Sequence, residues 1–139
     1  MPLGMGRMEQ NMSTLDHLRA ATRDLAPSLR AVAIACPAGA HTEALRAAAD
    51  RCEADPSRDT ARAARRAAYA TLEHVETHHA QPGAHAVADH IERACGACCA
   101  AWTRYADGWL TASAQEIRRA HRYANSSQVR AWLADVVPA

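Results

Sequence analysis

The sequence AHAVADHIERACGACCAAWTRYADGWL, residues 84–110, is the stretch that decides the fold. Read as a helix at ~100° per residue, it places its largest side chains in one narrow stripe. The stripe comprises Val87, Ile91, Cys98, Trp102, Tyr105 and Trp109. Such a helix is ~40 Å long at a rise of ~1.5 Å per residue. We therefore predict that it runs the full height of a small helical bundle and that the other helices pack against its stripe.

The amino-acid composition favours an all-α fold. The chain of 139 residues is 49% hydrophobic, is rich in alanine and contains no phenylalanine. Alanine has the highest helix propensity and allows helix backbones to approach closely. Because large aliphatic side chains are scarce, burial within one chain contributes modestly to stability. We therefore expect the protein to self-associate as a homodimer.

The pattern along the chain predicts an antiparallel four-helix bundle followed by two short C-terminal helices. The four long helices are predicted at residues 14–36, 42–54, 58–80 and 84–110. Pro27 lies inside the first of these, where it should kink the helix or divide it in two. Residues 1–12 are predicted to be a flexible tail, and residues 13–139 a single domain.

The two C-terminal helices are predicted from their capping residues. Ser113 and Glu116 match a capping box, which predicts a helix from there to about residue 124. Asn125 and the two serines after it should cap a last helix through residue 137. The apolar face of that helix comprises Val129, Trp132, Leu133 and Val136.

Charge and cysteine content restrict the expected partners and compartment. The net charge of +1 gives no support for general polyanion binding, so nucleic acid is not an expected partner. The longest uncharged run, residues 31–42, is too short to span a membrane, and the N-terminus lacks an apolar signal region. Cys95 is poorly placed for a disulfide with Cys98 or Cys99, which lie within one helical turn. We predict a cytoplasmic protein with reduced thiols and no membrane segment.

A histidine cluster flanks the predicted turn at residues 81–83 and is a candidate metal site. It comprises His74, His78, His79, His85 and His90. His74 and His78 have the i, i+4 spacing that lets two imidazoles reach one Zn²⁺ or Cu²⁺ ion. The spacing supplies two ligands rather than four, and the alternative interpretation is a set of solvated histidines at a helix end.

The cysteines are a second candidate metal site, because buried thiolates can hold Cu(I). The alternative is that Cys95, Cys98 and Cys99 are small buried apolar residues. The spacing His90-x4-Cys95-x2-Cys98 partly resembles the His-x3-Cys-x2-Cys element of zinc-containing anti-sigma factors. Four intervening residues, however, place His90 and Cys95 about 140° apart around a helix, so an unbroken helix cannot direct both to one ion.

Aromatic and arginine residues supply two further candidate sites. Trp102, Tyr105 and Trp109, with Trp132 on the last helix, are a candidate small-molecule pocket, or alternatively they fill the core. Two arginine clusters are candidate anion sites, although a solvated helix face is the expected interpretation. They comprise Arg58, Arg62, Arg65 and Arg66, and Arg118, Arg119 and Arg122.

Three functional hypotheses result. No complete catalytic constellation is visible, so the first is a non-enzymatic interaction or regulatory module with a protein partner. The second is a metal-binding bundle that holds zinc or copper at the histidines or Cu(I) at the cysteines. The third is a small-molecule-binding protein or enzyme that uses the Trp/Tyr pocket.

Overall fold

The computed structural model describes residues 13–36, 39–78 and 83–136, and all regular secondary structure in these ranges is helical. The helices are α1 (Thr14–Arg23), α2 (Leu25–Ala35), α3 (Ala40–Ala54), α4 (Arg58–His78), α5 (Ala84–Ala106), α6 (Leu110–Ala124) and α7 (Ser127–Val136). The predicted all-α class is confirmed. None of the described helices is both long enough and apolar enough to cross a membrane. The predicted tail, residues 1–12, lies outside the described ranges.

The predicted first helix is divided into α1 and α2. The side chain of Ser13 caps α1 by accepting a hydrogen bond from the Asp16 amide at 3.1 Å. Pro27 is the third residue of α2, where a backbone N–H would have no acceptor inside the helix. A proline ring clashes with the carbonyl four residues earlier, which here belongs to Arg23, the last residue of α1. Pro27 is predicted either to kink the first helix or to divide it in two, and in the structure the helix is divided.

Helix α5 lies at the centre of the packing and contacts α1, α2, α4, α6 and α7. Its buried residues cover much more than one narrow stripe, and most of them are small. They are Ala84, Val87, Ala88, Ile91, Ala94, Cys95, Ala97, Cys98, Ala101 and Trp102. The described part of the chain therefore packs around the stretch that the sequence singled out.

The end of α5 differs from the prediction, because the helix stops at Ala106 rather than Leu110. Gly108 has φ +82°, the left-handed conformation that glycine adopts without steric strain. The Gly108 amide donates to the Tyr105 carbonyl at 3.0 Å, and the Trp109 amide donates to the Arg104 carbonyl at 2.8 Å. These two bonds form a Schellman motif, which satisfies the last carbonyls of α5 and turns the chain into α6.

Helices α5 and α6 run in opposite directions as a hairpin. The predicted capping box at Ser113 is wrong, because Ser113 lies inside α6 and its buried hydroxyl donates to the Ala101 carbonyl at 2.8 Å. At the other end of the hairpin, the Ser126 hydroxyl lies 2.7 Å from His90 Nδ1. Ser126 also caps α7, as predicted, by accepting from the Val129 amide at 3.3 Å. The antiparallel arrangement of four long helices stays a prediction.

Candidate functional site

The histidines of the predicted metal site do not form a common cluster in the described residues. The ring of His74 stacks on His41 of α3, with 4.0 Å between centroids. His41 was not among the predicted site residues, because it lies 33 positions from His74 in the sequence. The side chain of His78 and the whole of His79 lie outside the described part of the chain.

The two histidines of α5 have separate polar partners. His85 Nε2 lies 3.0 Å from a carboxylate oxygen of Glu76, and both side chains are exposed. His90 contacts Ser126 and meets the Tyr123 ring edge-on, with 5.9 Å between centroids. Among residues 13–36, 39–78 and 83–136, no three His, Cys, Asp or Glu side chains converge in a way that could hold a metal ion. Zinc or copper at the histidine turn stays a prediction.

Cys98 lies in a sealed polar contact between α1 and α5. Its sulfur is 3.2 Å from the Thr22 hydroxyl, to which Trp102 Nε1 donates at 2.9 Å. Thr22 in turn donates to the Leu18 carbonyl at 2.8 Å. Burial raises the pKa of Cys98 to about 12, and the pKa of buried Cys95 also rises for the same reason. Without a metal ion both residues are therefore neutral thiols near pH 7, and Cu(I) at the cysteines stays a prediction.

The four aromatic residues of the predicted pocket do not come together at one place. Trp102 is buried and packs edge-on against Tyr105, with 6.4 Å between ring centroids. Trp109 follows the end of α5 and is 59% exposed, so it lines neither a pocket nor the core. Trp132 lies at the opposite end of α5, where its ring is near Gly83. About 28 Å of helix separates it from Trp102 at ~1.5 Å per residue.

A groove between α4 and α5 brings four arginines together. We call it the arginine groove, and its volume is about 590 Å³. Arg62, Arg65 and Arg66 come from α4, and Arg104 comes from the last turn of α5. The floor consists of small residues of α5, namely Gly96, Cys99, Ala100 and Thr103.

The positive charge of the arginine groove is largely uncompensated. Arg65 Nε lies 3.6 Å from a carboxylate oxygen of Glu92, which is a loose ion pair. Within the described residues, Arg62, Arg66 and Arg104 form no ion pair with a carboxylate. Three guanidinium groups therefore keep their fork of donors available for an anion.

Cys99 places a thiol on the floor of the groove. Burial raises its pKa, and the nearby guanidinium groups of Arg65 and Arg62 oppose that rise because they favour the thiolate. Cys99 is partly exposed, whereas the other four cysteines are buried. A reagent in solvent therefore reaches Cys99 through the arginine groove.

The arginine groove was visible in the sequence only in part. The i, i+3, i+4 spacing of Arg62, Arg65 and Arg66 indicates one shared helix face, for which a solvated surface is the ordinary expectation. The contribution of α5 was missed, since it depends on Gly96 and Ala100 lying opposite those arginines. A glycine inside a long helical pattern is the one signal that indicates a close approach or an open space at that position.

No protein family, curated protein or solved structure matches this chain. Its function is therefore inferred from the chemistry of the arginine groove. That chemistry is donor-rich and positively charged over a floor of small side chains.

Proposed function

We propose that this protein is a non-enzymatic regulatory module that binds an anionic ligand in the arginine groove. The observation that carries the proposal is the convergence of four arginines on one concave surface. Within the described part of the chain, only Arg65 of these four pairs with a carboxylate. Guanidinium groups bind phosphate and carboxylate groups through two parallel hydrogen bonds. A phosphate-bearing ligand therefore fits this surface better than a neutral one.

The geometry of the groove also favours a compact anion. Arg62 and Arg66 lie one helical turn apart on α4, about 6 Å along the axis. Arg104 faces them from α5 across Gly96 and Ala100. The small floor residues leave room for an anion between the guanidinium groups of α4 and that of Arg104. One or two linked phosphate groups match this spacing.

Calorimetric titration with inorganic pyrophosphate at low ionic strength tests the proposal. Replacing Arg62 and Arg66 together by alanine is expected to weaken pyrophosphate binding at least about tenfold, because two charge-assisted donors are lost. The matched control replaces Arg19 and Arg51, two exposed arginines on α1 and α3, and removes the same net charge. Absence of binding to the wild-type protein, or equal loss in the two double variants, would overturn the proposal.

The homodimer interface is proposed at the turn between α5 and α6. Trp109 is 59% exposed and Leu110 is 52% exposed, and the Arg104 guanidinium lies 5.4 Å from the Trp109 ring centroid. Tryptophan and arginine are enriched among the residues that dominate binding energy at interfaces. This pair of apolar residues supports a homodimer, with a second copy of the chain as the partner. The cytoplasmic location stays a prediction.

Light scattering tests the dimer separately from anion binding. Replacing Trp109 and Leu110 by serine is expected to convert the dimer to a monomer, because it removes the exposed apolar contacts. The control replaces Ile34, which is 58% exposed on α2, by serine. A monomeric wild-type protein, or a dimer that survives the double replacement, would contradict this interface.

A further inference from the structure

The arginine groove continues past Gly96 into a smaller recess between α5 and α6. We call this the mixed recess, and its volume is about 230 Å³. It shares Arg65, Gly96 and Ala100 with the arginine groove, so the two form one continuous surface. The remaining residues that line it are Glu92, Arg93, Ala97, Glu116, Arg119 and Tyr123.

The chemistry of the mixed recess differs from that of the arginine groove because two carboxylates line it. The side chains of Glu92 and Glu116 are only 17% and 23% exposed. Their ion pairs are long, at 3.6 Å from Glu92 to Arg65 and 3.9 Å from Glu116 to Arg119. Distances beyond ~3.2 Å leave the carboxylate oxygens free to accept shorter hydrogen bonds from a ligand.

Tyr123 completes the mixed recess between two cations. The guanidinium groups of Arg93 and Arg119 each lie 5.9 Å from its ring centroid. Hydrogen bonding to Arg119, and then to Arg93, lowers the pKa of Tyr123 because it favours the phenolate. The recess therefore offers both hydrogen-bond donors and acceptors.

The arginine groove and the mixed recess favour different chemical groups at the two ends of a ligand. A second phosphate in the mixed recess would face two carboxylates beside the three guanidinium groups, so the recess attracts an anion less than the arginine groove does. A hydroxyl group there would donate to Glu92 or Glu116 and accept from Arg93 or Arg119. Acidic side chains bind the hydroxyls of ribose in the same way at dinucleotide sites. The recess has the volume of about eight waters at ~30 Å³ each, which suits one sugar ring.

We infer that the ligand of this protein is a phosphorylated sugar, with its phosphate in the arginine groove and its hydroxyls in the mixed recess. The inference rests on the proposed function, because it assigns the phosphate to the same guanidinium groups. It adds a role for the two carboxylates, which an inorganic anion would not use.

Calorimetric titration compares ribose 5-phosphate with inorganic phosphate on the full chain. Ribose 5-phosphate is expected to bind at least about tenfold more tightly, because its hydroxyls add hydrogen bonds to charged acceptors. Replacing Glu116 by glutamine is expected to remove most of that advantage. The same replacement makes the site more positive, so it should not weaken the binding of inorganic phosphate.

A matched control variant is Glu43→Gln. Glu43 pairs with the arginine three residues later, as Glu116 does, but it lies on α3 and is 73% exposed. It should leave both affinities unchanged. Melting temperatures of the two variants show whether loss of an ion pair with the i, i+3 spacing has a structural effect of its own.

The outcomes separate the two proposals. Equal affinities for the two probes, or an unchanged advantage in Glu116→Gln, would overturn the sugar phosphate inference and leave the anion site standing. Failure of the wild-type protein to bind either probe or pyrophosphate would overturn the proposed function itself. Adenosine monophosphate serves as a third probe: tighter binding than ribose 5-phosphate identifies a nucleotide as the source of the sugar phosphate, and equal or weaker binding identifies a free sugar phosphate.

Discussion

Cys98 and Cys99 are neighbours in the sequence, yet they lie on two faces of α5 with different chemistry. Cys98 is fully buried and contacts Thr22, which also accepts a hydrogen bond from Trp102. Cys99 lies on the floor of the arginine groove beside Gly96. The large indole one turn from Cys98 fills the first face, whereas the absence of a side chain at Gly96 leaves the second face open. Side-chain size along one helix therefore decides which face is core and which is a binding surface.

The largest effect is expected from Trp102→Ala, which would disrupt the buried face of α5 around Cys98. Removing a buried indole should lower the free energy of unfolding by about 3–5 kcal/mol, because it leaves a cavity and removes a buried hydrogen bond to the Thr22 hydroxyl. Urea denaturation followed by circular dichroism measures the loss. Ile34→Ala is the control, and with its exposed side chain it should change stability by no more than about 0.5 kcal/mol. Equal losses in the two variants would contradict the contrast between the faces.

Thiol reactivity tests the same contrast in the intact protein. In the native state Cys99 should react with a soluble aromatic disulfide at least about 100-fold faster than the buried cysteines, which must wait for an opening of the fold. Mass spectrometry of the labelled protein counts and locates the modified thiols. Saturating pyrophosphate should slow the labelling of Cys99, because the anion occupies the groove above it. Rapid native labelling that persists in Cys99→Ser would show that another cysteine is accessible.

Because Cys98 is buried, we also predict that the protein loses stability at alkaline pH. A cysteine in the unfolded chain ionises near pH ~8.5, whereas burial raises the pKa of Cys98 to about 12. The unfolded state therefore releases its proton first, and the stabilising contribution is complete below pH ~8.5 and is lost as the pH rises towards 12. Between these values the free energy of unfolding should fall by about 1.4 kcal/mol per pH unit for this thiol. Urea denaturation between pH 8 and 10 measures this decline. The free energy of unfolding should fall less steeply with pH in Cys98→Ala than in the wild-type protein, and equal slopes would contradict the raised pKa of Cys98.

The smallest effect is expected on the open face, from Gly96→Ala. An added Cβ would lie 3.6 Å from Nε of Arg65, which is an ordinary contact distance. The replacement should raise the free energy of unfolding by about 0.5–1 kcal/mol, because alanine favours the helix more than glycine does. Gly83→Ala is the control with the opposite sign, because Gly83 has φ +88° and a side chain there is strained. Destabilisation by Gly96→Ala would mean that the floor of the groove is tighter than the structure has it.

Sequence periodicity predicted most of the helices but not where they end. The stripe of α5 continues in register through Tyr105 to Trp109, so the pattern alone favours a helix to Leu110. Gly108 overrides it, because a glycine at the left-handed position completes the Schellman motif. The exposed position of Trp109 could not be predicted while the helix was expected to continue through it.

The candidate site was harder to predict than the fold. The arginines of α4 are a local pattern, but their partners Gly96 and Arg104 come from another helix, and their meeting depends on how α4 and α5 align. The net charge of the whole chain is only +1, and this value conceals a local excess of positive charge. The stacking of His41 on His74 was unpredictable for the same reason, since no local pattern relates α3 to the end of α4.

The position of Arg104 gives the protein an optical signal of its own. The same guanidinium that lines the groove lies 5.4 Å over the exposed Trp109 ring, whereas Trp102 and Trp132 are buried. An anion that draws Arg104 into the groove takes the cation away from this one indole. The fluorescence of Trp109 is therefore coupled to occupancy of the groove. Ligand screening can be followed by emission from the unlabelled chain.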